Sequence, residues 1–386
     1  MLVLVLLAVL LGGVGWYYSS VLLKPVRGFD CPDRVVAVRD GEVWLAPSRW
    51  AGQPGEWGLR WAGGLARVGP VLPALGSSPG AALDPSAEPA LEPVAGMPGG
   101  VVRRPLRPGP VPPVGPVMVD AGLYDADPSA RGLAFETVPV AAPLGDCPAW
   151  FVPATGSTWV IAVHGRGVDH RECLRVLPVP HRLGHPVLAI SYRNDIGAPA
   201  SPDGHYHLGD TEWQDLAASV EYALAHGATG LVLYGWSMGA AIIGAFLNRA
   251  PDALASPVRA VVWDSPMLDW RATLRLQASQ RHLPPGLTPL ATAVTRRRIG
   301  IDFDQFDLVR RPPARRPPTL LLHGDSDTGV PVQTSRALAA EATRLGWPLR
   351  YVEVAGAEHT ANWNVDPARY ESAVADFLTE YASGES

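Results

Sequence analysis

The sequence predicts an α/β protein, with a mainly parallel central sheet carrying helices on both faces, preceded by an apolar N-terminal helix and a small β-rich extension. Three observations carry that reading. From residue 133 onward, short apolar runs alternate with stretches of helical spacing, the pattern that builds a parallel sheet from βα units. One run, residues 231–234, passes straight into a helical stretch through Gly235-Trp236-Ser237-Met238-Gly239. A serine between two glycines on such a strand-to-helix turn sits in a strained conformation that exposes its hydroxyl at the end of the sheet. The third is chain order: aspartates and histidines that could serve that serine follow it, acid before histidine.

In chain order, residues 1–23 contain no charged side chain. About 20 apolar residues as a helix cross a hydrocarbon core, so this stretch reads as an uncleaved single-pass membrane anchor. A cleaved signal peptide is the rival, but no basic segment precedes the run and no small-x-small site follows it. Lys24, Arg27, Arg34 and Arg39 all follow the span, which places the rest of the chain on the cytoplasmic side. Removing residues 1–23 is expected to leave an active enzyme, since no candidate catalytic residue precedes Leu133.

Residues 34–69 read as a small β-rich unit. It opens with a hairpin over 34–47, whose Asp40-Gly41 pair suits a type I′ turn. Trp50, Trp57 and Trp61 then supply apolar bulk for a core. Residues 70–116, crowded with Pro, Gly, Ala and Ser, show no period and read as a linker or surface wrap. A second G-x-S-x-G match at 76–80 lies here. No apolar strand precedes it, and its Pro79 has no N–H to offer.

The alternation then gives strands near 135–140, 149–152, 158–163, 186–192, 231–234, 258–263, 319–322 and 350–354. Helices fall near 171–183, 211–226, 332–345 and 367–381, besides the one after Ser237. Residues 268–309 break the rhythm where a cap could be inserted within a catalytic domain spanning 133–386.

Composition narrows the chemistry. A net charge of −5, with Lys24 the single lysine among 32 basic residues, gives no case for nucleic acid binding. Cys31, Cys147 and Cys173 show neither metal-ligand spacing nor an even count for a disulfide framework.

Acyl transfer by a serine needs a base for its proton, an acid to orient that base, and N–H donors for the oxyanion. Downstream of Ser237 lie three histidines, His282, His323 and His359. His282 precedes the good acid candidates and His323 precedes the acid it would need, so His359 is the expected base. Asp327, in His323-Gly324-Asp325-Ser326-Asp327, is the expected acid, with Asp325 and then Asp264 as the other candidates. The oxyanion donors are expected to be the N–H groups of Met238 and of Arg166, the latter in His164-Gly165-Arg166-Gly167. His164 reads as structural.

These motifs, HGRG, GWSMG, HGDSDTGVP and AEHTANW, occur in the order found in the α/β-hydrolase superfamily, and the chain resembles its serine aminopeptidase and monoacylglycerol lipase-like branch, including membrane-anchored bacterial members. The resemblance covers roughly residues 133–381 and implies an α/β-hydrolase fold and a Ser–Asp–His serine hydrolase. The expected activity is hydrolysis of a carboxylic ester, lipid-like or with an apolar acyl chain, with no metal or organic cofactor. A peptidase or acyltransferase using the same triad, or a membrane-tethered scaffold without activity, are the alternatives.

Overall fold

The computed structural model describes residues 2–73, 92–94, 97–122 and 125–382, with side chains from 11–73, 100–122 and 125–382. The first helix, α1, runs Leu2–Leu23. Gly15, Ser19, Leu22 and Leu23 recur along one side of it and are buried. The expectation of a membrane anchor finds no support, nor does the cytoplasmic placement that was argued from it: among the described residues no helix is long and apolar enough to cross a membrane. One stripe of the described part of α1 packs on protein, while Leu11, Trp16, Tyr17 and Val21 are exposed. A Cβ added at Gly15 would lie 2.9 Å from Val294 Cγ2, so the missing side chain is what lets two helices approach.

The β-rich unit is a seven-stranded sheet built from β1 (Asp33–Arg39), β2 (Glu42–Leu45), β3 (Trp57–Trp61), β4 (Gly64–Val68), β5 (Glu92–Val94), β6 (Met97–Pro105) and β7 (Gly115–Asp120), in the order β4-β3-β7-β1-β2-β6-β5. Its strands pair antiparallel, and the β1–β2 hairpin turns at Asp40 and Gly41, both with positive φ, as the Asp-Gly pair predicts. Val35, Val43, Leu45, Trp57, Leu59, Val102 and Val117 form its core.

Part of the segment read as a linker or wrap is therefore wrong: β6 sits inside this sheet, paired with β2 through Leu45 and Val102. The sequence signal was masked because a core position is an arginine. Arg104 is fully buried, and its guanidinium donates to the carbonyls of Ala51 (2.9 Å), Gly69 (2.9 Å) and Gly55 (3.0 Å). It satisfies loop carbonyls that no regular pairing reaches. The linker residues 74–91 and 95–96, including the second G-x-S-x-G match, lie outside the described residues.

The larger sheet has eight strands: β8 (Glu136–Ala142), β9 (Gly145–Val152), β10 (Thr158–Val163), β11 (Val187–Ile190), β12 (Gly230–Trp236), β13 (Val258–Asp264), β14 (Thr319–Gly324) and β15 (Leu349–Val354). Their order is β15-β14-β13-β12-β10-β11-β9-β8, parallel from β11 to β15, with β9 and β8 antiparallel at one edge. The inner strands are buried on both faces, which is why they read as continuous apolar runs.

Helices α2 (Pro178–Arg182), α3 (Trp213–Ala225), α4 (Met238–Arg249), α5 (Asp252–Ala255), α8 (Val332–Glu341), α9 (Asn362–Val365) and α10 (Pro367–Tyr381) accompany that sheet. Two separate apolar clusters fill its two faces, one around α3 and α4 and the other around α10. The insertion after β13 folds as α6 (Trp270–Gln280) and α7 (Leu287–Ile299), and it is α7 that meets α1. The single helix expected over 171–183 is instead a 3-10 turn, His170–Arg175, followed by the short α2. Pro178 and Pro180 lack the N–H that a continuous helix would need from them.

Candidate active site

The site forms where β12 ends against α4. Ser237 has φ 48° and ψ −114°, a conformation rare for a residue with a side chain. The flanking glycines are required by space. A Cβ on Gly239 would fall 2.1 Å from the carbonyl oxygen of Val163, and one on Gly235 would fall 2.8 Å from the backbone carbonyl carbon of Gly239. Strand register adds to the placement: Gly235 pairs with Val163 and Trp236 with Asp264, so three strand ends converge on Ser237.

The three expected side chains meet. Ser237 Oγ lies 2.9 Å from His359 Nε2, and His359 Nδ1 lies 2.7 Å from Asp327 Oδ2. With the serine hydroxyl donating to Nε2, the Nδ1–H donates to Asp327. The carboxylate is held from every side. Its Oδ1 accepts from the N–H groups of Gly329 and Val330, each at 2.7 Å, and its Oδ2 lies 3.1 Å from His323 Nε2. Burial alone would raise the pKa of Asp327, but the charge of His359 and the hydrogen bonds of both histidines outweigh it and hold the group well below the usual carboxylate range.

The other acid candidates are engaged elsewhere. Asp325 accepts from Gly356 N (2.7 Å) and fixes a loop. Asp264, fully buried, accepts from Asn362 Nδ2 (2.7 Å) and Tyr370 Oη (2.7 Å) behind the site. His282 lies outside the site, next to the insertion's α6.

The expected oxyanion donors flank the serine. Met238 begins α4, where N–H groups have no intrahelical acceptor and the helix dipole favours negative charge. On the β10 side, Gly165 N–H donates to Glu172 Oε2 at 2.7 Å, which leaves Arg166 as the next N–H in that loop. Gly165 comes so close that a Cβ there would lie 3.2 Å from Ser237 Cβ. His164 stays structural. Its Nε2 lies 2.8 Å from Asp195 Oδ2 and its Nδ1 2.8 Å from Gly165 O, two acceptors that call for the doubly protonated ring. Burial opposes that charge, yet Asp195 lifts the pKa to about 9.

Sequence reasoning missed how the histidine loop is held. Glu358, buried beside His359, accepts from Thr328 Oγ1 (2.9 Å), Thr328 N (3.1 Å) and His359 N (3.3 Å), so one carboxylate ties the acid loop to the base loop. Arg49 of the β-rich unit pairs with it. Beyond His359, Ala361 lies in the core of that unit, and Asn364 Nδ2 donates to Glu56 O at 2.6 Å. The β-rich unit thus braces the loops that carry Asp327 and His359. A Glu beside the candidate histidine was the available signal.

The environment of His359 sets a pH dependence. Burial lowers its pKa, but the charge and hydrogen bond of Asp327 raise it by more, leaving it above the ordinary 6.5. A general base works when neutral, so activity should fall as pH drops through that raised value. We expect the acid limb of the kcat/KM profile to lie above 6.5 in the wild type. A limb at or below that value would remove His359 as the titrating base.

The fold and the Ser–His–Asp arrangement define a serine hydrolase of α/β-hydrolase architecture. A family model described as the prolyl oligopeptidase family matches residues 194–385, and one described as a domain of unknown function (DUF8805) matches residues 34–80. The esterase Pf2001 of Pyrococcus furiosus, in one crystal form, is similar over 68% of this chain and 98% of its own, with 19% identity and a TM-score of 0.53. A second crystal form gives 68%, 96%, 19% and 0.54. At that identity the likeness speaks for the fold. No curated protein matches the chain in sequence. The monoacylglycerol lipase-like branch suggested by the motifs finds no support in these matches.

Proposed function

We propose that the protein hydrolyses carboxylic esters with an apolar acyl chain through an acyl-enzyme. The observation that supports the acyl-enzyme route is the continuous hydrogen-bonded line from Ser237 through His359 to Asp327, at 2.9 Å and 2.7 Å. In the first half, Ser237 Oγ attacks the acyl carbonyl while its proton passes to His359 Nε2. The carbonyl π electrons move to oxygen, where the N–H groups of Met238 and Arg166 take the charge. The intermediate collapses, expelling the alkoxide, which takes the proton from His359. In the second half, water attacks the acyl-enzyme, giving its proton to His359; collapse returns a proton to Ser237 and frees the acid. Asp327, ionised throughout, keeps the Nδ1 proton in place and stabilises the imidazolium.

The family match favours a second reading, a peptidase using the same three side chains with an amine as leaving group. A panel of acyl esters, thioesters and peptide amides of matched acyl group separates the two. The ester reading expects esters to be turned over fastest, with amides near background. Amide cleavage at ester-like rates would transfer the assignment to the peptidase.

A further inference from the structure

α1 was expected to be dispensable, yet its C-terminal end is hydrogen-bonded to the loop that follows β10. Its C-terminal carbonyls accept from the guanidinium of Arg166: Nη2 lies 3.0 Å from Val21 O, 2.9 Å from Leu22 O and 3.3 Å from Lys24 O. A cation there completes carbonyls that the helix end leaves unsatisfied. Tyr206 N–H takes the carbonyl of Leu23 at 2.8 Å. Farther along α1, Ser19 Oγ accepts from Thr295 Oγ1 of α7 at 2.9 Å, with both residues fully buried. The last turns of α1 are thus fastened at one end to the loop beside Ser237 and at the other to the cap.

Between α1, α6 and α7 lies a cavity of about 170 Å³, lined by Val21, Leu22, Arg166, Leu274, Ala278 and Ala291, among others. Two of its lining residues lead to the loops of the site. Arg166 follows Gly165, which abuts Ser237. Gln277, also in the lining, donates to Gly329 O at 3.1 Å, and Gly329 abuts the His359 ring. Among its polar lining groups Arg166 Nη2 is bound to α1, Gln277 to Gly329 and Arg281 to the carbonyl of Gln277, while Tyr18 and Thr288 add hydroxyls to a lining that is otherwise aliphatic. Arg166 Nε lacks an acceptor among the described residues.

We propose that this cavity receives the acyl chain and that the last two turns of α1 are one of its walls. The proposal rests on the ester-hydrolase reading above. An apolar cavity of about 150 Å³ holds a six-carbon ring, so the size suits a chain of about six carbons rather than an acetyl group. The occupant is the acyl chain because most of the lining is aliphatic and one lining residue, Arg166, belongs to the loop of the expected oxyanion donor.

The test compares kcat/KM for p-nitrophenyl hexanoate and acetate in the full chain. The wild type should favour hexanoate by about tenfold or more, since even one added methylene in an apolar pocket discriminates by that order. Val21→Trp fills the cavity from α1, at a residue 55% exposed and so tolerant of bulk. Ala278→Trp fills it from α6. Each should reduce the hexanoate-to-acetate ratio by about tenfold, with thermal unfolding checked in parallel. Should either variant fail to fold, Ala291→Leu or Val21→Phe replaces it. A ratio that falls with Ala278→Trp but not with Val21→Trp would overturn α1 as a wall. An unchanged ratio in both folded variants, or no hexanoate preference in the wild type, would overturn the pocket. If the wild type turns over neither ester, the ester reading itself is lost, a result distinct from the others.

Discussion

Ser237→Ala should reduce ester turnover by about 10⁶-fold, and Ser237→Ala with His359→Ala should be little worse than either change alone, because members of such a triad act as a unit. The structure gives the reason. Ser237 Oγ has His359 Nε2 as its partner at 2.9 Å, so removing the hydroxyl deletes the attacking atom and leaves a base with nothing to deprotonate. Folding should be intact. The alanine keeps the Cβ and the backbone hydrogen bond from Ser237 N to Asp264 O, and it leaves no buried charge behind. Steady-state kinetics with a melting curve for each variant checks both halves. Additive losses in the double variant would mean that the two residues work independently.

Asp327→Asn should cost about 10⁴-fold in turnover, far more than Asp325→Asn. Asp327 Oδ1 accepts from the loop N–H groups of Gly329 and Val330, so an asparagine keeps its oxygen there and turns its NH₂ toward the histidines. That NH₂ donates to His359 Nδ1 and forces the ring proton onto Nε2, where it can no longer accept from the serine. The raised pKa of His359 should fall too, since the Asp327 charge that lifts it is gone. Asp325 offers no such path. Its Oδ1 accepts from Gly356 N and Ser326 Oγ, roles an asparagine oxygen can fill, so a change within about 0.5 kcal/mol of stability and near wild-type turnover is expected. A reversed ranking of the two variants would move the acid to Asp325.

How much of this was legible depended on where the physics is local. Strands β10, β12 and β14 are buried on both faces, and a run such as residues 158–163 declares itself without knowledge of its neighbours. The serine turn was legible because its glycines answer a steric demand that a short motif encodes. Chain order then selected the histidine. Other features were set by contacts far apart in sequence. An apolar stretch reads the same whatever covers it, and the contacts of Gly15 with Val294 and of Ser19 with Thr295 join residues about 280 positions apart. β6 escaped notice because the residue holding its core together is Arg104, whose partners are carbonyls of other loops. The bracing of His359 by Glu358 and Arg49 joins residues about 300 positions apart, a separation that no local pattern carries.

The central claim is that Ser237 is the nucleophile of a covalent mechanism. Its most direct test is incubation of the full chain with a fluorophosphonate, followed by intact and peptide mass spectrometry. The account predicts a single adduct, mapped to the peptide containing Ser237, abolished in Ser237→Ala and strongly slowed in His359→Ala. No adduct on the folded wild-type protein, or an adduct on another serine that persists in Ser237→Ala, would contradict it.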